Sequence, residues 1–183
     1  MPSKSFRLLA GASLAVALAA PASAVTLSFV ASLSGAGEVP PVITTAFGSA
    51  FVTFDDVAQS VSVSESFTGL IGGPASASHI HCCTLTPNTG SAPVVIPFTT
   101  FPNAASGAYT NTFVLNAASF GFLLAGTQAG KAYVNIHNAT YPAGEIQGFL
   151  VAAVPEPETY GLMLAGLAAV GWITRKRRPA KTA

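Results

Sequence analysis

Residues 59–67, QSVSVSESF, decide the fold class because their polar and apolar side chains alternate almost perfectly. On an extended strand, Val61, Val63 and Phe67 would point to one side and the intervening serines to the other. Residues 45–54, TAFGSAFVTF, alternate in a similar way. Both stretches therefore predict β-strands with one buried face and one hydrated face.

The rest of the middle region continues this pattern. Short runs rich in Val, Phe, Thr and Ser are separated by Gly, Pro and Asn, and helix-period amphipathic stretches are nearly absent. Further strands are predicted at residues 26–32, 77–83, 93–98, 109–115, 132–137 and 145–152. The one candidate for a helical turn is 116–126, with Asn116 as its cap and Gly126 as its end. Eight short strands in about 130 residues predict an all-β fold, a Greek-key β-sandwich.

Charged residues are scarce and lie mostly at the two ends of the chain. They make up 8% of the sequence, where about a quarter is typical of soluble domains. Between residues 25 and 154 the sequence has one basic residue, Lys131, and five acidic residues. This region therefore has a net charge of −4. Without a basic surface to neutralise phosphates, nucleic-acid binding is not expected.

The N-terminus has the pattern of a cleavable secretory signal. A short basic start is followed by an apolar run over residues 8–20 and by small residues at Ala22 and Ala24. We therefore predict a signal peptide at residues 1–24, which takes the chain into the secretion translocon and is cut after Ala24. The alternative, an N-terminal membrane anchor, is disfavoured because the run is shorter than the roughly 20 residues a span needs.

The C-terminus, residues 153–183, combines a proline-flanked break, an apolar run over residues 160–173 and a basic cluster. The prolines forbid a continuous helix or central strand, so the folded domain is expected to end at Val154. The basic cluster should stay cytoplasmic and leave the domain outside. The residues that carry this pattern are Pro155, Glu156, Pro157, Arg175, Lys176, Arg177 and Arg178.

In the order and spacing of these three parts, the C-terminus resembles the PEP-CTERM sorting signal of Gram-negative bacteria. The resemblance implies a short transmembrane helix that anchors the precursor in the inner membrane, and recognition by an exosortase. It further implies removal of the tail and delivery to the cell surface or to an exopolysaccharide biofilm matrix. A permanent C-terminal anchor is the alternative and also leaves the domain outside.

Residues 75–85, ASASHIHCCTL, hold two of the three histidines and both cysteines of the chain. On a strand, His79 and His81 share one face while Ile80 faces the core. An outward polar pair of this kind is also compatible with a merely hydrated or hydrogen-bonding surface.

A second stretch, KAYVNIHNATYPAGEIQGFL, repeats the pattern of the first. Here Asn135 and His137 lie opposite Val134 and Ile136. If the two strands are neighbours, three imidazoles can converge on one ion, because His–Zn bonds are about 2.0–2.1 Å long. Glu145 is then a candidate fourth ligand, or an acceptor for a ligand's second N–H.

Cys82 and Cys83 are adjacent, in a chain expected to reach an oxidising compartment. Four states remain open: two thiols, a strained vicinal disulfide, bridges to another chain, or soft metal ligands beside His81. Strand alternation would place Cys83 on the face of His79 and His81, which makes it the better ligand candidate. Cys82 would be buried as a small apolar residue.

Three motifs in order, LSGAGEVPPV, ASHIH and AYVNIHNATYPAGEIQGFL, resemble the CHRD domain, a module named from chordin and found in many bacterial secreted proteins. The resemblance covers residues 27–150 and implies an immunoglobulin-like β-sandwich within a domain at 25–152. It also implies limited similarity to Cu/Zn superoxide dismutases, and the family has no settled biochemical activity. The motif residues here are Glu38, Pro40, Pro41, His79, His81, Asn135, His137, Gly144, Glu145 and Gly148.

The chain departs from the family pattern in two places. Cys82 and Cys83 follow the second histidine, where many members have Gly, and Gln147 stands where an Arg is usual. Loss of that Arg removes an expected ion-pair partner for a carboxylate, which leaves Glu145 free to bind a metal or water.

The sequence carries no nucleophile motif, phosphate-binding Gly-rich loop or paired-carboxylate signature. A copper–zinc dismutase needs more imidazole ligands than three, so that activity is not expected. We therefore predict a non-enzymatic, exported surface or matrix module that binds protein or polysaccharide. The alternative is an extracytoplasmic domain that binds Zn or Cu through the histidines and has a structural or redox-related role.

Overall fold

The structure, a computed structural model, describes residues 26–153 and 157–176. Within them the chain forms nine strands and two α-helices, with a short 3-10 turn at Gly35–Gly37. The strands are β1 (Thr26–Ser34), β2 (Phe47–Asp55), β3 (Ser60–Thr68), β4 (Ala75–His81), β5 (Val94–Pro97), β6 (Gly107–Val114), β7 (Tyr133–Asn138), β8 (Ile146–Phe149) and β9 (Val151–Ala152). The helices are α1 (Ala117–Gln128) and α2 (Pro157–Lys176).

The strands belong to one antiparallel sheet in the order β5-β4-β7-β8-β1-β2-β3-β6, with β9 pairing with β1. The sheet curls into a nearly closed barrel, in which strands near its two ends contact each other across the core. The hydroxyl of Ser78 on β4 donates to Glu65 on β3 over 3.0 Å, and Phe98 stacks on Tyr109 of β6. The all-β prediction is confirmed, and the non-consecutive strand order is of the kind a Greek key requires.

The core is built from the alternating inward positions that the sequence pattern predicted. Val61, Val63 and Phe67 of β3 are all buried, whereas Ser64 and Ser66 are exposed. Burying a side chain of this size stabilises the fold by roughly 1.5–3 kcal/mol. The hydrated face of β3 is satisfied by hydroxyl pairs with its neighbours on β2 and β6.

The C-terminal strand differs from the prediction of one continuous element at residues 145–152. β8 pairs with β7 as far as Phe149, and the Leu150 N–H donates to the carbonyl of Ala132 over 3.0 Å just beyond that pairing. Beyond that point, Val151 and Ala152 pair with β1. The ladder therefore splits into β8 and β9, which makes nine strands in the described residues instead of eight.

The helical turn predicted at residues 116–126 is a longer helix, α1. Its cap is the predicted one, since Asn116 Oδ1 accepts from the Ser119 N–H over 2.9 Å. Its end is not at Gly126, which is buried inside the helix. The chain instead turns at Gly130, whose φ of +68° is a conformation that glycine adopts without strain.

The two ends of the chain are only partly described. The predicted signal peptide at 1–24, with Ala22 and Ala24, lies outside the described residues, as do Pro155, Glu156, Arg177 and Arg178. Pro157, Arg175 and Lys176 belong to α2, which forms where the short apolar helix was predicted. Among the described helices, none combines the length and the apolar character needed to cross a membrane.

Candidate metal centre

The histidines are positioned by the pairing of β4 with β7. In this antiparallel ladder His79 lies opposite Asn135, and His137 lies opposite Ala77, one step along the same face. His81 lies opposite Tyr133. Because residues two apart on a strand share a face, the ladder brings all three imidazoles to one side of the sheet.

The three side chains form a compact histidine cluster, defined here as His79, His81 and His137. One ligand-capable atom from each lies within 4.8 Å of those of the other two. His79 Nδ1 is 3.0 Å from His137 Nε2. Two nitrogens that bind one ion at about 2.0–2.1 Å in tetrahedral geometry must lie roughly 3.3 Å apart, so this spacing suits a shared metal ion.

The histidine face is more enclosed than the sequence pattern predicted. His81 is 7% exposed, while His79 and His137 are half-buried. Strand alternation describes a single sheet and contains no information about loops that cover its outer face. Here the loops supply Ala92, whose carbonyl contacts His81, and Pro142, whose carbonyl contacts His137.

These two carbonyls orient the rings of their histidines, and the carbonyl of Ala92 also fixes the tautomer of His81. A carbonyl oxygen can only accept, so His81 Nδ1 donates to Ala92 over 2.8 Å and His137 Nδ1 donates to Pro142 over 3.0 Å. In a neutral His81 ring the other nitrogen, Nε2, then carries a lone pair, whereas His137 Nε2 faces the acceptor Asn135 Oδ1. Metal-binding histidines almost always use one ring N–H in this way, leaving the second nitrogen for the metal.

The electrostatics of the histidine cluster favour neutral rings. Burial, together with the smaller effect of the neighbouring imidazoles of His137 and His81, lowers the pKa of His79 to about 4. Burial also lowers the pKa of His81 and of His137, although the hydrogen bonds to Ala92 and Pro142 oppose the shift. The rings are therefore uncharged at neutral pH, as metal binding requires.

Buried polar and aromatic side chains surround the histidine cluster. Tyr133 stacks on His81 with ring centroids 4.7 Å apart and planes within 5°. Asn135, 1% exposed, places Oδ1 3.0 Å from His137 Nε2 while its amide donates to Ala143. Sequence reasoning did not assign Tyr133, although alternation on β7 places it on the same face as Asn135 and His137.

Glu145 does not join the histidine cluster. Its carboxylate is fully buried and accepts from the Thr44 hydroxyl over 2.6 Å and from the Ile71 and Gly72 N–H groups over 2.9 and 3.0 Å. Asn138 Nδ2 also donates to it. Burial would raise its pKa, but the four hydrogen bonds outweigh burial and lower the pKa. Glu145 therefore ties loops to β7, and its oxygens are already engaged.

Cys83 also stands apart from the histidine cluster. β4 ends at His81, two residues earlier than predicted, so strand alternation no longer determines where Cys83 points. Cys82 and Cys83 form a disulfide with each other, which leaves no thiolate to bind a metal. Cys82 is buried, as predicted. Both sulfurs lie against Gly126 of α1, where a Cβ would overlap them.

The remaining motif residues divide between the site and the scaffold. Glu38 is 5% exposed, and burial raises its pKa to about 7. A Cβ on Gly144 would overlap the Glu38 carboxyl, which places that carboxyl directly against this glycine. Gly148 allows β8 to approach β1, while Pro40 and Pro41 are exposed in the loop after Glu38.

A groove of about 1090 Å³ lies elsewhere on the domain, between β1, β9 and the residues that follow α1. Its walls include Phe29, Phe51 and Val151, and none of the predicted site residues lines it. The candidate chemistry therefore resides in the histidine cluster.

Fold and site together define a small all-β domain with a partly buried three-histidine cluster. The chain belongs to the CHRD domain family, whose model matches residues 29–150. Residues 153–178 match the PEP-CTERM protein-sorting motif, so the protein is an exported one whose precursor is anchored in a membrane and processed by an exosortase. Comparison with curated proteins and with solved structures found no significant match.

Proposed function

We propose that this protein is a non-enzymatic surface module that binds one Zn or Cu ion through His79, His81 and His137. The observation that carries the proposal is the orientation of the rings. Two of them are locked by backbone carbonyls at Nδ1, and the buried Nε2 of His81 has no hydrogen-bond partner. A buried polar atom without a partner is costly, so its retention favours a bound ion at this position.

The donor atoms of the site favour some metal ions over others. Imidazole nitrogens suit Zn and Cu, whereas Mg and Ca prefer oxygen ligands. Three histidines are too few for a two-metal copper–zinc dismutase site, which supports a structural or metal-retaining role over redox turnover.

Measuring the metal content of the purified protein tests this proposal. Protein purified without an affinity tag should contain about one equivalent of Zn or Cu by elemental analysis, and the His79→Ala variant should contain much less. Ser76→Ala, an exposed position on the same strand, is the matched control and should keep the metal. Equal metal in the wild type and in His79→Ala, or none in either after growth with added metal, would contradict the proposal.

A second candidate function, binding of a neutral matrix polysaccharide, is supported by the outer face of β2, β3 and β6. Hydroxyl pairs such as Ser49–Ser66, 3.1 Å apart, cover this face. Beside them, Phe47 and Phe51 are 63% and 45% exposed. Exposed aromatic rings can pack against the apolar faces of sugars, while hydroxyls hydrogen-bond to their rims.

Cosedimentation with exopolysaccharide from the producing cells tests this second function. The double variant Phe47→Ala/Phe51→Ala should lose binding, whereas Phe122→Ala, which removes a similarly exposed ring from α1, should not. If both variants sediment like the wild type, this face does not hold the polymer.

The final location proposed for the processed module is the cell surface or biofilm matrix of a Gram-negative bacterium. The PEP-CTERM match supports it, since the motif implies an exported precursor that an exosortase processes, and we propose that the predicted signal peptide takes the chain through the secretion translocon. Cell fractionation tests the location: the wild type should reach the surface or the matrix, and a variant with Pro155 and Pro157 replaced by alanine should stay with the membrane. A wild type retained in the cytoplasm would refute export.

A further inference from the structure

The groove described above lies where the sorting motif joins the domain. Its lining includes Ala152 and Ala153, and the PEP-CTERM match begins at residue 153. The Ala153 N–H donates to the carbonyl of Ser28 on β1 over 2.8 Å, which holds the first residue of the motif against the barrel. The groove and the start of the motif are therefore neighbours on one surface.

A short connection keeps α2 close to this groove. Three residues separate Ala153 from Pro157, the first residue of α2, and even a fully extended chain of that length spans only about 14 Å. A folded domain of about 100 residues has a radius of gyration of about 13 Å and is therefore wider than this gap. An enzyme that recognises the Pro-Glu-Pro start of the motif thus brings part of its own surface up to the groove.

The groove carries a row of exposed apolar side chains. Val30 on β1 pairs with Phe51 on one side and with Val151 on the other, and all three are exposed and line the groove. Because residues paired directly across strands project to the same face, these side chains form one row across three strands. Contiguous exposed apolar side chains of this kind are a feature of surfaces that bind another protein.

The groove also exposes the edge of a strand. In an antiparallel pair, successive residues direct their N–H and C=O groups alternately toward the partner strand and away from it. Ala153 directs its N–H to β1, so the N–H and C=O of Ala152 point away from β1, as the Leu150 N–H does where it bonds to Ala132. Ala152 lies beyond that bond and lines the groove. An extended peptide can therefore pair with Ala152 while its side chains contact the apolar row, which is the arrangement of β-strand addition.

We propose that the groove is a docking site for the exosortase that processes this protein. An extended apolar segment of the enzyme, outside the membrane, pairs with the edge of β9 and positions the sorting motif for cleavage. The inference goes beyond the metal-binding function and rests on the export and processing of the precursor. A lipid surface fits less well, because the groove is concave and the domain offers anionic headgroups one lysine against five acidic residues.

The rate of precursor processing in the producing cells tests the proposal. Val30→Glu/Val151→Glu introduces two charges at exposed groove positions and leaves Phe51 and the hydrated outer face of β2 unchanged. A pulse-chase experiment should show that this full-length variant matures roughly 10-fold more slowly than the wild type, because docking would bury unpaired carboxylates.

Ile43→Glu/Ile71→Glu is the matched control. It also replaces two exposed branched aliphatic side chains by glutamate, so the change in net charge is the same. Its positions lie in loops at the end of the barrel where β1 and β3 finish, whereas the groove borders the start of β1. The control should mature at the wild-type rate.

Photo-crosslinking identifies what occupies the groove and does not depend on how the charged variant folds. A photoreactive phenylalanine analogue in place of Val151 should form an adduct with epitope-tagged exosortase, and the same analogue in place of Ile43 should not. Absence of that adduct, or an adduct only with lipid or with a second copy of the chain, would overturn the proposal.

The two experiments also separate the docking site from processing itself. If the wild type and the groove variant mature at the same rate, the docking site is wrong and processing by exosortase stands. If the wild type does not mature at all, processing and the docking site fail together. Neither result affects the metal-binding function, because metal content is measured independently.

Discussion

Replacing Glu65 by glutamine should remove a pH-dependent loss of stability. Glu65 is 2% exposed, its hydrogen-bond donor is the Ser78 hydroxyl at 3.0 Å, and Oε1 has no partner. Burial raises its pKa from 4.5 to about 8, and the Ser78 hydrogen bond lowers it only in part. The folded protein therefore holds this proton more tightly than the unfolded chain. The resulting stabilisation is complete below pH 4.5 and is lost as the pH rises toward 8.

The magnitude of the Glu65 effect follows from the same pKa values. Each pKa unit corresponds to about 1.4 kcal/mol. Between pH 4.5 and pH 7 the wild type should lose about 3 kcal/mol of unfolding free energy through this group. Glutamine does not titrate and still offers an oxygen to the Ser78 hydroxyl, so the variant should escape this loss.

Urea unfolding of both proteins across that pH range measures the Glu65 effect directly. The unfolding free energy of Glu65→Gln minus that of the wild type should increase by about 3 kcal/mol from pH 4.5 to pH 7. Glu38 and the histidines also titrate, but equally in both proteins, so their contributions cancel in the difference. Two stability curves that run parallel over this range would refute the reasoning.

Three further substitutions test the scaffold by thermal or urea unfolding. Gly144→Ala places a side chain at a φ of +135° against Glu38, and should lower the unfolding free energy by about 1–3 kcal/mol; an unchanged stability would show that the loop relaxes freely. Glu145→Gln weakens charge-assisted hydrogen bonds and should cost about 2 kcal/mol at pH 7. Because the pKa of Glu145 is lowered, that difference should shrink as the pH falls through the pKa of the folded state, and a pH-independent difference would contradict it. Gly126→Ala overlaps the two disulfide sulfurs and should cost about 1–3 kcal/mol, whereas Gly121→Ala, where a Cβ meets open space in the same helix, should be neutral or stabilising.

The all-β class and the shared face of His79 and His81 could be predicted because both depend on strand alternation, whereas the arrival of His137 beside them depends on the pairing of β4 with β7, which was only a condition of the prediction. The serines of β3 and the His-Ile-His triplet of β4 have a period of two, and that period fixes which side chains share a face. The Asn116 cap was predictable for a similar reason, since an asparagine before an apolar run satisfies the first N–H groups of a helix.

The rest of the site depends on loops, whose path the alternation does not encode. The Glu38 carboxyl lies against Gly144 because the 3-10 turn after β1 brings it there. Glu145 was a reasonable ligand candidate by residue type, yet residues 71 and 72 from a distant loop occupy its oxygens. Likewise, the path of the chain after His81 decided that Cys83 pairs with Cys82. These contacts join residues far apart in sequence or beyond the end of a strand.

The pairing of β1 with β9 has a consequence for how the precursor is handled. The first strand of the domain and its last run antiparallel as neighbours, with Phe29 opposite Ala152 and the Ala153 N–H donating to Ser28 over 2.8 Å. The predicted signal peptide and the C-terminal tail would therefore join the domain at the same end of the barrel. One bilayer could therefore hold the precursor at both ends of the domain without separating its strands. Cleavage of either terminal segment would leave the pairing of β1 with β9 intact.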